Sequence, residues 1–265
     1  MSGIHHSAIV DPGARIDSDV EIGPFAVVER DVEVGAGSRV GAHAVLKSGL
    51  RLGRRVRVYE GAVLGGDPQD LKYEGAPSYA VVGDDCVIRE FATIHKSAQP
   101  EGATRVGRGT FLMGYGHVAH DCDIGDEVII ASYAALAGHI HIGRRAFVSG
   151  GVVIHQFSRI GELSMIGGGS KVNLDVPPFF TVDGVPARAV GLNVVGLKRA
   201  GVSEEDLAAI KRAYRLLYRS KRSRRDALAE IETLSNEYAH RIADFVRESE
   251  RGICHARHRS PITDH

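Results

Sequence analysis

One aliphatic residue recurs every six positions along most of this 265-residue chain, and few folds satisfy that constraint. Counting from Val10, the steps fall on Ile16, Ile22, Val28, Val34, Val40, Leu46, Leu52, Val58 and Leu64. Asp70 and Ala76 break the series, which resumes in phase at Val82, Ile88 and Ile94, misses once at Pro100, and runs without a gap from Val106 to Val172. A period of six is neither the 3.6 of a helix nor the 2 of a strand. It fits a short strand plus a turn, with one side chain pointing inward each time, and three such sides close a coil of about 18 residues whose neighbours bury a shared aliphatic column.

The flanking positions agree. Two residues before the aliphatic the side chain is small, as at Ala26, Ala44, Cys86, Ala92, Cys122 and Ala134, and glycine often follows it, as at Gly23, Gly35, Gly53, Gly107, Gly125 and Gly143. Glycine at a fixed phase marks a turn. The 32 glycines and the absence of tryptophan suit such a stack. Because both interruptions preserve the phase, residues 66–80 and 97–103 are expected as loops pushed out of a regular coil, the first being one coil's worth of chain. Loops on a rigid scaffold commonly carry function.

The expected fold is an all-β solenoid, a parallel β-helix of hexapeptide repeats over 1–190, followed by a small α-helical domain over 191–252. The coil is expected to stop at Asp175-Val176-Pro177-Pro178, where two prolines remove ladder donors. Ser203 before Glu204, Glu205 and Asp206 reads as a helix N-cap with an acidic first turn. A second helix is expected to carry Leu228, Ile231, Leu234, Ile242 and Phe245. Residues 253–265 read as a disordered tail.

Charge and cysteines narrow the function classes. The net charge is +0, so no whole-chain field favours nucleic acid. A basic cluster, Lys221, Arg222, Arg224 and Arg225, reads as a solvated helix face or as a dock for an acidic partner. Cys86, Cys122 and Cys254 form no CxxC, so neither a disulfide framework nor a zinc knuckle is indicated, and no metal is expected. The N-terminus lacks a basic segment followed by an apolar run, and no window approaches the roughly 18 apolar residues of a membrane span. A cytoplasmic protein is expected.

A solenoid needs no histidines, yet His117, His120, Asp121, His139, His141, His155 and Gln156 cluster in one part of the repeat. Residues 18 apart stack about 4.8 Å from one another. His120 therefore meets Gly138, and Asp121 meets His139. That juxtaposition offers a general base, a carboxylate to orient it, and a glycine N–H for an oxyanion.

The chain resembles the acyl-[acyl-carrier-protein]–UDP-N-acetylglucosamine O-acyltransferase family. The resemblance covers residues 4–252 and rests on Gln69-Asp-Leu-Lys-Tyr73, Ile88-Arg-Glu90, Thr93-Ile-His95, Gly116-His-Val-Ala-His-Asp-Cys122, Ala137-Gly-His139, His155-Gln-Phe157, Asp175-Val-Pro-Pro178, Gly191-Leu-Asn193 and Gly196-Leu-Lys-Arg199. It implies a left-handed β-helix and a homotrimer with sites between subunits. It implies His120 as base, Asp121 as its partner and Gly138 as oxyanion donor. Asp70 and Lys72 would contact the acyl group and the sugar nucleotide, and His117, His139, His155 and Gln156 would hold the sugar and nucleotide. Asn193 and Arg199 would reach the uridine end, and Gly168 would mark the stop of an acyl groove that runs between subunits, along the coil axis from His120. Two positions depart from the family pattern: Val195 stands where an acidic residue is common, and Ala200 where a second arginine is.

The implied reaction moves a 3-hydroxyacyl group from the phosphopantetheine thioester of acyl carrier protein to the 3-hydroxyl of UDP-N-acetylglucosamine, the first step of lipid A biosynthesis, without a cofactor. An acyltransferase acting on a UDP 3-amino sugar is the near alternative, since the same base would serve. A γ-type carbonic anhydrase needs three convergent histidines in a different spacing, and a non-catalytic solenoid would have no use for the histidine patch.

Overall fold

The structure is a computed structural model that describes residues 3–220 and 222–257. Lys221 and residues 258–265, the latter part of the expected tail, lie outside the described residues.

The six-residue period becomes a three-faced coil. Strands of mostly two residues, such as Glu21–Ile22, Val27–Val28 and Glu33–Val34, fall in turn on a first, a second and a third parallel sheet. Each strand pairs with the one a full turn away: Val40 lies beside Val58, and Leu112 beside Ile130, steps of 18 residues. From Ile22 onward the aliphatic column is buried, with Leu46, Leu64, Ile94, Leu136 and Ile154 at 2% exposure or less, whereas Val10 and Ile16 at its N-terminal end are partly exposed. Cutting such a side chain to alanine costs about 2–5 kcal/mol, because a stacked coil cannot collapse into the gap.

The interruptions are shorter than a coil. Between Leu64 and Val82 the chain passes only from the second face to the third, a move that elsewhere takes six residues, so the first loop adds twelve. The register confirms it: Val58 pairs with Ile88, a step of 30, and Ile88 with Leu112, a step of 24. Both loops leave at the second corner, where the second face turns into the third. They lie on each other there, Ser78 Oγ donating to Ser97 O at 2.6 Å and Glu101 N to Pro77 O at 2.7 Å.

Apart from Gly65 (φ 79°), where the first loop begins, the glycines that follow the aliphatics do not supply left-handed turns. Left-handed φ falls two residues later, at Asp121 (59°), His139 (60°) and Phe157 (63°) on the second corner, for example. The glycines allow close stacking instead: a Cβ on Gly35 would stand 2.6 Å from Gly53 O, and one on Gly107 would stand 2.5 Å from the Gly125 carbonyl carbon.

The prolines do not end the coil. Ile160 still bridges Val176 in parallel, and Phe180–Asp183 adds a strand beside Met165–Ile166 before turning antiparallel against Arg188–Leu192. Phe179 and Phe180, fully buried, plug the column. Over this plug lie helices α1 (Val194–Arg199), α2 (Glu204–Tyr218), α3 (Arg224–Glu232) and α4 (Glu237–Arg247), with Phe180 edge-on to Tyr214 and Phe179 beside Tyr238. Ser203 caps α2 by accepting from Asp206 N.

Two expectations are corrected. The single helix expected across Leu228 to Phe245 is broken, because Thr233 Oγ1 bonds back to Glu230 O and Asn236 caps a new helix by accepting from Ala239 N. Residues 253–257 are not a loose tail: Ile253 and Cys254 are buried, Asp175 bridges Ile253, and Tyr218 Oη donates to Cys254 O at 2.6 Å.

Candidate active site

The second corner gathers the imidazoles. His120, Gly138 and Gln156 stack as one column there, and Asp121, His139 and Phe157 as the next, joined by His139 N donating to His120 O (3.0 Å) and Phe157 N to Gly138 O (3.2 Å). His120 is not on the open surface of the coil: it is only 9% exposed. Its Nδ1 lies 2.7 Å from Asp121 Oδ2. That contact sets the tautomer, with the proton on Nδ1 and a free lone pair on Nε2. Nε2 faces Gly138, since a Cβ there would fall 2.7 Å from it.

Asp121 is held from several sides. Ser97 Oγ donates to its Oδ1, Ala98 N donates to Oδ2 at 3.2 Å, and His139 Nε2 is 3.6 Å from Oδ2. Burial alone raises its pKa, but the bonds from Ser97, His120 and Ala98 and the nearness of His139 outweigh it, so the carboxyl lies below its ordinary value and stays ionised. His139 is fixed in turn by Phe157, stacked on it at 4.7 Å. His120, Asp121 and His139 offer three ligand atoms within 4.8 Å of one another, the one group of this kind among the described residues.

Gly138 N–H makes no hydrogen bond among the described residues. At the same phase of other turns that N–H donates to a carboxylate: Arg54 N to Asp84 (2.8 Å), Arg108 N to Asp126 (2.8 Å) and Ser48 N to Glu29 (3.0 Å). This turn position is thus a ready anion donor, and at Gly138 it opens beside His120 Nε2.

His117 stands on the second face just below this corner, its Nδ1 2.7 Å from Thr93 Oγ1, and burial with the nearby His120 lowers its pKa. One coil beneath it lies His95, which sequence reasoning left without a role. It is buried, edge-on to His117 at 4.8 Å, and its Nδ1 has no hydrogen-bond partner among the described residues. Burial pushes its pKa down to about 4. Ser97 was also missed. A register step of 24 sets it directly under Asp121, and only the length of the second loop gives that away.

Other expected site residues lie elsewhere in the chain. His155 is exposed near the same corner, its Nδ1 3.3 Å from Arg251. Asp70 and Lys72 sit in the first loop, Asp70 Oδ1 accepting only from Lys72 N, and neither side chain bonds to the imidazole patch among the described residues. His141 lies on the third face, facing Asp123 at 3.3 Å. Asn193 caps α1 through Gly196 N and donates to Leu163 O at 2.8 Å, so its amide is committed to the fold. Asn193 and Arg199 line a cleft of about 520 Å³ with Ile129, Phe147 and Met165 on the first face. Gly168 follows the first face, at a different corner from His120, so a groove running straight up one chain from His120 does not reach it. Cys122 adjoins Asp121, but burial pushes its thiol up to about 12, which rules it out as a nucleophile near neutrality.

Known proteins share this arrangement over nearly the whole chain. The family described as Udp N-acetylglucosamine O-acyltransferase, Domain 2, matches residues 175–254, and the bacterial transferase hexapeptide (six repeats) family matches 13–48. An acyl-[acyl-carrier-protein]–UDP-N-acetylglucosamine O-acyltransferase of Thiobacillus denitrificans is 49% identical over 256 residues, 96% of this chain and 99% of that one. One from Halorhodospira halophila is 47% identical with the same coverage. The crystal structure of the Francisella novicida UDP-N-acetylglucosamine acyltransferase superposes with a TM-score of 0.92 at 35% identity, covering 95% of this chain and 94% of that one. The chain therefore belongs to the acyl-[acyl-carrier-protein]–UDP-N-acetylglucosamine O-acyltransferase family.

Proposed function

We propose that the protein transfers a 3-hydroxyacyl group from acyl carrier protein to the 3-hydroxyl of UDP-N-acetylglucosamine, as the first step of lipid A biosynthesis. The observation that carries this reading is that His120 Nε2 stands against Gly138, whose N–H makes no hydrogen bond among the described residues, in a chain whose relatives bear that activity as their name.

His120 Nε2 removes the proton of the sugar 3-hydroxyl, and Asp121 stabilises the imidazolium that forms. The oxygen attacks the thioester carbonyl carbon, and the Gly138 N–H receives the negative charge on the carbonyl oxygen. The tetrahedral intermediate collapses to the ester, breaking the carbon–sulfur bond, and the imidazolium returns its proton to the departing pantetheine thiolate. Electrons and protons balance without a resident metal or cofactor, because the thioester is already activated.

The reading assigns His117, His139, His155 and Gln156 to the sugar and nucleotide, Asp70 and Lys72 to acyl group and nucleotide, and Arg199 with the Asn193 turn to the uridine end. It also makes the protein a homotrimer of left-handed coils. Two observations support assembly: the cleft at Arg199 opens on a different side from His120, so one chain does not complete the site, and the first corner bears an exposed aromatic ladder in which Phe91, Tyr115 and Tyr133 stack at 5.1–5.2 Å. The site then lies between subunits. Arg222, Arg224 and Arg225 supply positive charge for the acidic carrier protein, although Arg222 already faces Glu230 at 3.0 Å. No helix among the described residues is long and apolar enough to cross a membrane, and three free, buried cysteines suit a cytoplasmic location.

No observation favours the amino-sugar alternative. A side-by-side assay with UDP-N-acetylglucosamine and its 3-amino analogue tests the choice. The hydroxyl sugar is expected to be the better acceptor, and a preference for the amine would overturn the assignment.

A further inference from the structure

The geometry points to a second chemistry at the same corner: we infer that His120, Asp121 and His139 form a site for a divalent transition metal of the zinc type, and that the bound ion switches the enzyme off. The inference rests on His120 being the base.

Three donors of the right kind converge. His120 Nδ1 and His139 Nε2 stand 2.7 Å and 3.6 Å from Asp121 Oδ2, and each of the three residues offers one ligand atom within 4.8 Å of those of the other two. An ion bound to imidazole and carboxylate at about 2.0–2.2 Å in a tetrahedron separates its ligand atoms by about 3.3 Å. The two histidine-to-carboxylate spacings bracket that value, and the two imidazoles must close toward each other on the ion. The rings are already at right angles, 5.2 Å apart.

The ligands are also preset by their surroundings. Ser97 Oγ and Ala98 N fix the carboxylate, and the Phe157 stack fixes the His139 ring. Such outer partners raise metal affinity by holding ligands in place. His139 is 30% exposed at its side chain, which leaves a path for the ion and a fourth position for water.

Inhibition follows from the tautomer. In the active form Nδ1 carries the proton and Nε2 the lone pair. A metal takes the Nδ1 lone pair, so that proton passes through solvent to Nε2, with no net change in protonation. Nε2 then has no lone pair facing Gly138, and the sugar hydroxyl has no base. Asp121 is drawn to the ion in the same event.

The test uses Co²⁺, whose visible absorption reports tetrahedral coordination, on the metal-free full-length protein, together with acyl-transfer rates in Zn²⁺. The expected result is one Co²⁺ per chain with a tetrahedral spectrum. Binding should weaken by more than about tenfold in both His139→Ala and His139→Gln, since even an outer partner of a ligand is worth that much. Wild-type acyl transfer should fall as Zn²⁺ fills the site and recover on chelation. No stoichiometric tetrahedral spectrum, binding unchanged in both variants, or full activity in saturating Zn²⁺ would overturn the inference. Failure of the acyltransferase reading itself would show differently, as a metal-free protein without activity whose Co²⁺ spectrum is still lost with His139.

Discussion

His120 and Gly138 are in contact across one turn of the coil, so close that a methyl group on residue 138 would lie 2.6 Å from Cε1 and 2.7 Å from Nε2 of the imidazole. The clash is with the ring itself, so the ring must shift from the position it holds beside Asp121. Gly138→Ala is therefore expected to lower kcat by about 10²-fold or more, the usual worth of a positioned base. Its melting temperature should change little, because the added methyl meets a side chain rather than the aliphatic column. Kinetics and thermal melting on the same preparation check this, and a variant with near wild-type kcat would contradict it.

The alternation of strand, turn and inward aliphatic was legible from the sequence because each inward position is a hydrophobic requirement repeated without exception through a coil. His120 over Gly138 and Asp121 over His139 followed from the same arithmetic. What failed was whatever depends on where chain leaves the coil. The first loop adds twelve residues rather than a full turn, and phase alone does not distinguish these. The break at Thr233–Asn236 is made by side-chain bonds to the backbone, which compete with an apolar spacing that runs through it. Ile253 and Cys254 were read as tail because their partner, Asp175, is far away in sequence. Gly168 and His120 are 48 residues apart, not a multiple of 18, so within one chain they occupy different corners, and the groove between subunits that the resemblance implies is the arrangement that would join them.

His95 should make stability depend on acidity. Its pKa in the folded protein is about 4, below the ordinary 6.5, because burial disfavours the cation. The unfolded chain thus binds the extra proton first, and stability falls as pH drops from about 6.5 to about 4, then levels off with respect to this group. The size is about 1–3 kcal/mol once residual solvent around the ring is allowed for. His95→Gln should remove this share of the slope. Chemical denaturation of both proteins at several pH values measures it, and parallel pH profiles would contradict it.

Lys72 lies exposed on the first loop, outside the aliphatic column and without an ion-pair partner among the described residues. Lys72→Ala should raise KM for the sugar nucleotide or the acyl donor by about tenfold, the worth of one charge-assisted contact, with an unchanged melting temperature. Unchanged kinetics, or a large loss of thermal stability, would count against a binding role.

Gly168 is exposed, and a Cβ there meets nothing nearer than Gly150 O at 3.5 Å, so a side chain fits and projects outward. Its height above His120 remains 48 residues of coil, roughly 13 Å at about 4.8 Å per turn. That holds about ten carbons, at about 1.25 Å of advance for each bond of about 1.5 Å. Because the two residues occupy different corners, the ruler works only if a second copy brings its Gly168 beside the His120 groove. The wild type should then prefer donors of about 12–14 carbons, and Gly168→Met should shift preference toward about ten. A series of acyl donors of defined length reads this directly, and no shift would remove Gly168 from the groove.

The central claim is that His120 is the base of an acyl transfer to a sugar hydroxyl. The most direct measurement is single-enzyme conversion of UDP-N-acetylglucosamine by 3-hydroxyacyl-[acyl-carrier-protein], with the product identified by mass and the rate compared between wild type and His120→Ala. The account predicts a 3-O-acyl ester from the wild type and a kcat lower by about 10²–10⁴ in the variant, with the same oligomeric state and melting temperature. No ester from the wild type, or more than a tenth of its rate from the variant, would contradict it.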